Sequence, residues 1–287
     1  MRRVKSLLII SIIFTVLLLV YNMNHQLVDD SINYSNYYAQ TVHRMVTPSL
    51  AELGVDGISK FNDHVIMLTR VPGAGAEILV YILQHLSGYN AFKHIRIPSG
   101  NYDKILSPLQ QEFLVEDITD IIKQEAIPLS FDGNIRFLNF SKFGRQTPSF
   151  ISIVRDPRDI YLSNRNKSAI YDGGISYFCG QNPRCLVKSR WSLENAKKNV
   201  IQWYSVIGIL ENMEGTLDVL TKKFYYFFNG ASDIYIKKFR LKKMLRNNKI
   251  KRNLLIKKKI EKTVAREIEF YLWLKSRLLN QANELTN

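Results

Sequence analysis

Apolar residues fall in two rhythms along this 287-residue chain: short unbroken runs, and stretches spaced by three and four. The first run, Leu7 to Tyr21, follows the basic start Met1-Arg2-Arg3-Val4-Lys5. It is shorter than the roughly 20 residues of a typical spanning helix, but Ser6 and Asn22 can occupy the interfaces of a thin membrane. The basic flank orients the N-terminus toward the cytosol. A cleaved signal peptide is the alternative, although Asn-Met-Asn-His after Tyr21 offers no small-x-small cleavage site. The pattern therefore predicts a cytosolic tail (1–6), a signal-anchor helix (7–21), a polar, weakly periodic lumenal stem (22–61) and a folded domain (62–287).

Within the domain, His64 to Arg70 reads as a buried strand that runs into the small-residue turn Val71-Pro72-Gly73-Ala74-Gly75-Ala76. Ile78, Leu79, Ile82, Leu83 and Leu86 then recur at helical spacing. A second unit repeats the arrangement: Phe150 to Val154 is a strand, Arg155-Asp156-Pro157 its exit, and Arg158 to Ser163 the start of a helix with Pro157 at its first position. Further on, Arg190 to Tyr204 predicts a helix, Val206 to Leu210 a strand and Asn212 to Phe224 a helix. Tyr225 to Phe228 is an aromatic block expected in the core, and a last helix spans Val264 to Leu279. Strands alternating with helices indicate an α/β domain with a central, mainly parallel sheet flanked by helices.

The formal charge of +15 changes the picture, because it is concentrated in a basic segment from Lys237 to Lys259 that includes Arg246. Such a block attracts polyanions. In a lumenal protein, sulfated or uronate-rich glycans and nucleotide phosphates are the expected partners, rather than nucleic acid; a solvated loop is the alternative. Three sequons, at Asn33, Asn139 and Asn166, count only in that compartment. Cys179 and Cys185, the only cysteines, lie close enough for a small disulfide loop under oxidising conditions.

Two places carry candidate chemistry. Strand, glycine-bearing turn and helix in sequence direct backbone N–H groups and a helix N-terminus at a phosphate. The turn lacks the Lys-Ser/Thr of a true P-loop, so an ordinary βα turn stays open. Arg155, at the end of the second strand, offers a forked donor for a phosphate, with Ser163 about two helical turns on. A surface pair of Arg155 with Asp156 is the bland alternative.

The chain resembles the Golgi 2-O-sulfotransferases of heparan sulfate and of uronyl residues in dermatan and chondroitin sulfate, nearer the uronyl and pipe branch. The matching stretches begin with Thr69-Arg70-Val71-Pro72, Phe137 to Gly144, and Val154-Arg155-Asp156-Pro157 with Ser163. They continue with Tyr177 to Cys185 (reading YFCGQNPRC), Trp191 through Val200, Gly208 to Glu211 and Phe227 to Ala231. The resemblance implies a type II Golgi membrane protein with a fold that binds 3′-phosphoadenosine 5′-phosphosulfate as co-substrate and requires no metal. Such enzymes move a sulfuryl group to the 2-hydroxyl of a uronic acid in a glycosaminoglycan. It further implies that Arg155 and Ser163 hold the 3′-phosphate and that Arg70, Gly73, Ala74, Gly75 and Ala76 cradle the 5′-phosphosulfate in a P-loop-like turn. The basic segment, Arg246 within it, would close over the nucleotide. The family is commonly oligomeric, which leaves room for a homo-oligomer.

The chain also departs from the pattern. Where the family carries a lysine after Arg-Val-Pro, this chain has Gly73, and Glu77 adds a negative charge nearby. The positions of the family's His-x-His, where the base resides, hold Asp132 and Asn134. An unperturbed Asp, with a pKa of about 3.9, suits general-base work near neutrality only if burial raises it. The stretch Asn164 to Tyr177 is much shorter than the family's glycan-contacting insert. A divergent enzyme and a non-catalytic relative that binds nucleotide or sulfated glycan are both expected readings.

Overall fold

The computed structural model describes residues 61–98, 104–164, 173–239 and 261–286. The tail, signal-anchor and nearly all of the stem expected from the sequence lie outside these residues, as do Asn33, Asn166 and Arg246. Among the described residues no helix is long and apolar enough to cross a membrane.

Five strands form one sheet: β1 (Phe61–Thr69), β2 (Lys93–Arg96), β3 (Leu129–Gly133), β4 (Thr147–Val154) and β5 (Tyr204–Ile209). Their order is β2-β3-β1-β4-β5, and every neighbouring pair is parallel. Parallel strands need covered crossovers, so their residues are buried on both faces. β4 shows this directly, with all eight of its residues buried. The covering helices are α1 (Glu77–Tyr89), α2 (Pro108–Gln124), α3 (Pro157–Asn164), α4 (Gly174–Cys179), α5 (Arg190–Trp203), α6 (Met213–Lys223), α7 (Tyr225–Phe228) and α8 (Ala265–Glu284).

Local sequence explains where these helices begin. Ser107 caps α2 in a capping box with Gln110, followed by Pro108 at the first helical position. Ser189 and Ser192 cap α5 in the same reciprocal way. Phe137, Phe140, Phe150, Phe178, Trp203, Tyr204 and Phe270 meet in one buried aromatic cluster. The Tyr204 hydroxyl pairs with Thr69 Oγ1 at 3.0 Å, and full burial pushes its pKa up.

The α/β expectation is met, with an entirely parallel sheet. Some boundaries move. β5 starts at Tyr204, two residues early, because Tyr204 itself pairs with Phe150. α8 runs on to Glu284, since Gln281 continues the buried side of Leu274 and Leu278 beyond Leu279. The aromatic block is core only in its second half: Phe227 and Phe228 are buried, whereas Tyr225 is 64% and Tyr226 44% exposed.

Sheet order fixes where a ligand can sit. From β1 the chain moves to one side, to β2 and β3, and from β3 it crosses to the other side, to β4 and β5. In open parallel sheets the crevice at the carboxyl ends of the strands, where the direction reverses, is the usual binding place. Here that point lies between the ends of β1 and β4.

Candidate functional site

At the end of β1, Arg70 to Ala76 turn sharply into α1. Gly73 and Gly75 have φ of +73° and +89°, the left-handed region that glycine alone enters freely. The turn is also packed from behind: Ala74 and Ala76 are buried, a Cβ on Gly73 would lie 3.1 Å from Ile160 Cγ2, and one on Gly75 would lie 3.0 Å from both methyls of Leu210. Ala76 precedes α1 without a side-chain cap, and within the turn the Ile78 N–H donates to the Gly75 carbonyl at 3.1 Å. The geometry is a tight, small-residue cradle at a helix start.

Beside it, two arginines and a histidine converge on one carboxylate. Asp132, at zero exposure in β3, accepts from Arg70 NH1 at 3.1 Å and from Arg96 Nε at 3.3 Å, and pairs with His94 Nε2 at 3.1 Å. His94 Nδ1 lies 2.7 Å from Ser130 Oγ. Burial alone would raise the Asp132 pKa, but His94, Arg96 and Arg70 outweigh it and hold the carboxyl below its usual range. Asp132 therefore does not offer the raised pKa that base work would need. Asn134, two residues on, is exposed.

Arg70 also donates to Glu77 Oε1 at 3.3 Å, across the mouth of the turn. The negative charge flagged in the sequence is thus paired with the arginine that starts the loop. Its carboxylate stays 72% exposed, so the pair is weakly held.

At the end of β4, Arg155 is half-buried, and Asp156 pairs with Arg158. The Arg158 guanidinium donates to both Asp156 oxygens at 2.8 to 3.2 Å and to Glu261 at 3.0 Å, which raises its pKa. Asp156 also accepts from the Arg158 N–H, fixing the start of α3. Ser163 lies in α3, but its side chain is outside the described residues. Glu211 closes this corner: it accepts from the Asp156 N–H at 3.2 Å and from the Tyr271 hydroxyl at 3.0 Å.

Cys179 and Cys185 are joined in a disulfide. The loop they close walls a cavity of about 640 Å³ with the start of α2 and the turn at Asn139. Its amides are used structurally: Gln181 spans Leu106 N–H and the Arg136 carbonyl, and Asn195 and Asn199 both donate to the Cys179 carbonyl. Asn139 accepts from Ser141 within its own sequon. Among the described residues no group of three His, Cys, Asp or Glu side chains is placed to hold a metal.

The structure thus brings Arg70, Gly73, Ala74, Gly75 and Ala76 to one end of the sheet with Arg155. It adds His94 and Arg96, which the sequence reading did not single out. Their signal was weak, a four-residue strand among polar neighbours; only the pairing of β2 with β3 sets His94 beside Ser130 and Arg96 beside Asp132.

No family model matches the chain. Among curated proteins, the uronyl 2-sulfotransferase of Homo sapiens is 29% identical over 210 residues, covering 59% of this chain and 50% of that protein. Its Mus musculus counterpart gives the same identity and coverage. The heparan sulfate 2-O-sulfotransferase 1 of Cricetulus griseus is 27% identical over 214 residues, covering 62% of this chain and 60% of that protein. The chain is a divergent relative of the 2-O-sulfotransferases. It spans about half the length of the uronyl relatives it matches. Its five-stranded parallel sheet with flanking helices is consistent with the sulfotransferase fold.

Proposed function

We propose that the chain binds 3′-phosphoadenosine 5′-phosphosulfate at the carboxyl ends of β1 and β4 and transfers its sulfuryl group to the 2-hydroxyl of a uronic acid in a glycosaminoglycan-type glycan. The observation that carries this reading is the small-residue turn from Arg70 to Ala76, set at the switch point with Arg155 on the neighbouring strand end. A helix start with no side-chain cap favours an anion, and an arginine fork at the adjacent strand end favours a second one. In this reading the turn holds the 5′-phosphosulfate, Arg155 with Ser163 the 3′-phosphate, and the basic segment around Arg246 the open side of the nucleotide. The donor supplies the sulfuryl group; Arg70 and Arg96 supply positive charge at the edge where negative charge grows. We place the protein in the Golgi membrane as a single-pass type II protein, on the strength of Leu7 to Tyr21 and its basic flank.

A second reading is favoured by one observation. Asp132, which the resemblance would set at the position of a base, is sealed and ion-paired, and Gly73 stands where the resemblance leads one to expect a lysine. A protein so built would keep nucleotide or sulfated glycan without turning over, as a partner of active relatives. Purified protein is incubated with ³⁵S-labelled donor and heparan, dermatan or chondroitin sulfate, and in parallel titrated calorimetrically with 3′-phosphoadenosine 5′-phosphate. Transfer to any acceptor supports the enzyme. Nucleotide binding without transfer supports the second reading. Absence of both overturns the nucleotide site itself.

A further inference from the structure

The amino ends of the same strands hold a second concavity, of about 760 Å³. That volume is within the range of small-ligand pockets. It opens beside Asp63 and His64 near the start of β1, Pro128 just before β3 and Tyr204 at the start of β5. It lies at the other end of the strands from the Arg70 turn and Arg155.

Its chemistry is uneven. Lys223, at the end of α6, and Arg277, from α8, both face it. The Lys223 pKa is lowered first by burial and then by the charge of Arg277, with Glu284 opposing. That of Arg277 is lowered by burial, again against Glu284. Arg277 is held in place by neutral acceptors: it donates to the Tyr204 carbonyl at 2.7 Å and to Gln281 Oε1 at 3.5 Å. These contacts position its charge, which Glu284 offsets only in part, since burial still lowers the pKa. Among the described residues neither Lys223 nor Arg277 forms an ion pair. The acid across the cavity, Asp63, already accepts from Ser149 Oγ at 3.3 Å. Two like charges directed into one half-enclosed space repel, and an anion between them offsets that repulsion.

The wall beside these cations is aromatic and wet. Tyr225 is 64% exposed and Tyr226 44%, although both adjoin the buried Phe224, Phe227 and Phe228. Tyr226 donates its hydroxyl to the Ala91 carbonyl at 3.0 Å, which fixes its ring. Tyrosines with one apolar face and one polar tip, next to Lys223 and Arg277, suit a flat ring that carries a negative group. The volume exceeds what a lone inorganic anion would fill.

We infer that this cavity is a second ligand site, which takes an acidic sugar unit of a glycan by seating its carboxylate or sulfate between Lys223 and Arg277 and its ring on Tyr225 and Tyr226. It gives the molecule a hold on an acidic chain away from the nucleotide end. The inference stands on its own residues and does not need the sulfuryl-transfer reading to be right.

The test is calorimetric titration of the intact protein with a chondroitin sulfate tetrasaccharide. Lys223→Gln and Tyr225→Ala each weaken binding roughly tenfold, the loss expected for one charge-assisted contact or one aromatic face. Lys223→Arg keeps most of the affinity. Arg155→Ala leaves tetrasaccharide affinity unchanged, and Lys223→Gln leaves the affinity for 3′-phosphoadenosine 5′-phosphate unchanged. Both residues are exposed, so the variants fold, and matching far-UV circular dichroism checks this. Wild-type affinity in Lys223→Gln and Tyr225→Ala overturns the proposal, as does displacement of the tetrasaccharide by the nucleotide in the Arg155→Ala protein.

Discussion

Asp132 is the residue on which the end of the sheet is organised. Its carboxylate is fully buried, yet its pKa lies below the usual range because His94, Arg96 and Arg70 surround it. Replacing it by Asn leaves Arg70 and His94, both largely buried, without their acceptor charge. Losing one partner of a buried ion pair costs about 3 to 5 kcal/mol. Arg96 is half-exposed and water takes over there, so Asp132→Asn is expected to cost about 2 to 3 kcal/mol by urea denaturation at pH 7. The sign with pH follows from the lowered value. The stabilisation is complete above the ordinary carboxylate pKa of about 4 and is lost as pH falls through the lower folded value. The gap between wild type and Asp132→Asn should therefore narrow as pH falls below about 4; a gap that does not narrow there would remove the ion-pair account.

Glu267 behaves in the opposite way. It is 3% exposed, and desolvation raises its pKa to about 7, although the N–H groups of Ile175 and Gly174 donate to one oxygen and Lys188 lies near. Its other oxygen, Oε1, is buried without a partner. The folded state thus binds a proton that the unfolded chain has released, and stability falls as pH rises from about 4.5 to about 7. Glu267→Gln keeps the acceptor for α4 and removes the charge. Its melting temperature is expected to exceed that of wild type at pH 8 and to equal it near pH 5. The stability gap at pH 8 is up to about 3 kcal/mol, the free energy of a shift of this size. A variant that is less stable at pH 8 would show that the carboxylate is needed charged.

At the scale of elements, the β1–α1 connection decides what the site can do. The backbone enters the left-handed region at Gly73, and a side chain there costs about 1 to 2 kcal/mol in that conformation, with a Cβ also crowding Ile160. Placing a lysine at Gly73 is therefore not a free exchange. Gly73→Lys is expected to lower stability by about 1 to 2 kcal/mol. If this chain lacks turnover only because the cation is missing, the same variant gains measurable transfer from labelled donor despite that loss. Unchanged stability in Gly73→Lys would show that the turn relaxes and is not fixed by Ile160 and Leu210. The same connection shows what the sequence made legible. Strand, glycine turn and helix were readable because each has a strong local signal: period, small residues, then spacing by three and four. The Arg70–Asp132–His94–Arg96 group was not, because it joins three strands that are distant in sequence. β2 is too short to announce itself, and Asp132 in isolation looks like a poor base instead of the hub of an ion-pair group.

For the whole molecule, the parallel sheet fixes two ends of different character. The carboxyl ends carry the turn, Arg70 and Arg155, and the amino ends carry the tyrosine-walled cavity. Alternating strands and helices revealed the layered architecture, but not that cavity, which is assembled from β1, β5, α6, α7 and α8 and has no contiguous motif. The net charge of +15 acts on both ends at once. Screening lengths shrink from about 30 Å at 0.01 M salt to about 8 Å at 0.15 M, and exposed charges feel this more than partly buried ones. Acidic glycan, held in this reading between exposed Lys223 and its neighbour Arg277, should lose affinity by at least about tenfold between roughly 0.05 and 0.5 M NaCl. Nucleotide, held chiefly by half-buried Arg155 and the backbone of the turn with the basic segment only on its open side, should weaken less, by about two- to threefold over the same range. Parallel titrations of a chondroitin sulfate tetrasaccharide and of 3′-phosphoadenosine 5′-phosphate measure the two slopes. Equal slopes would mean that both ligands share one exposed, purely electrostatic surface, and the two-ended division of the molecule would fail.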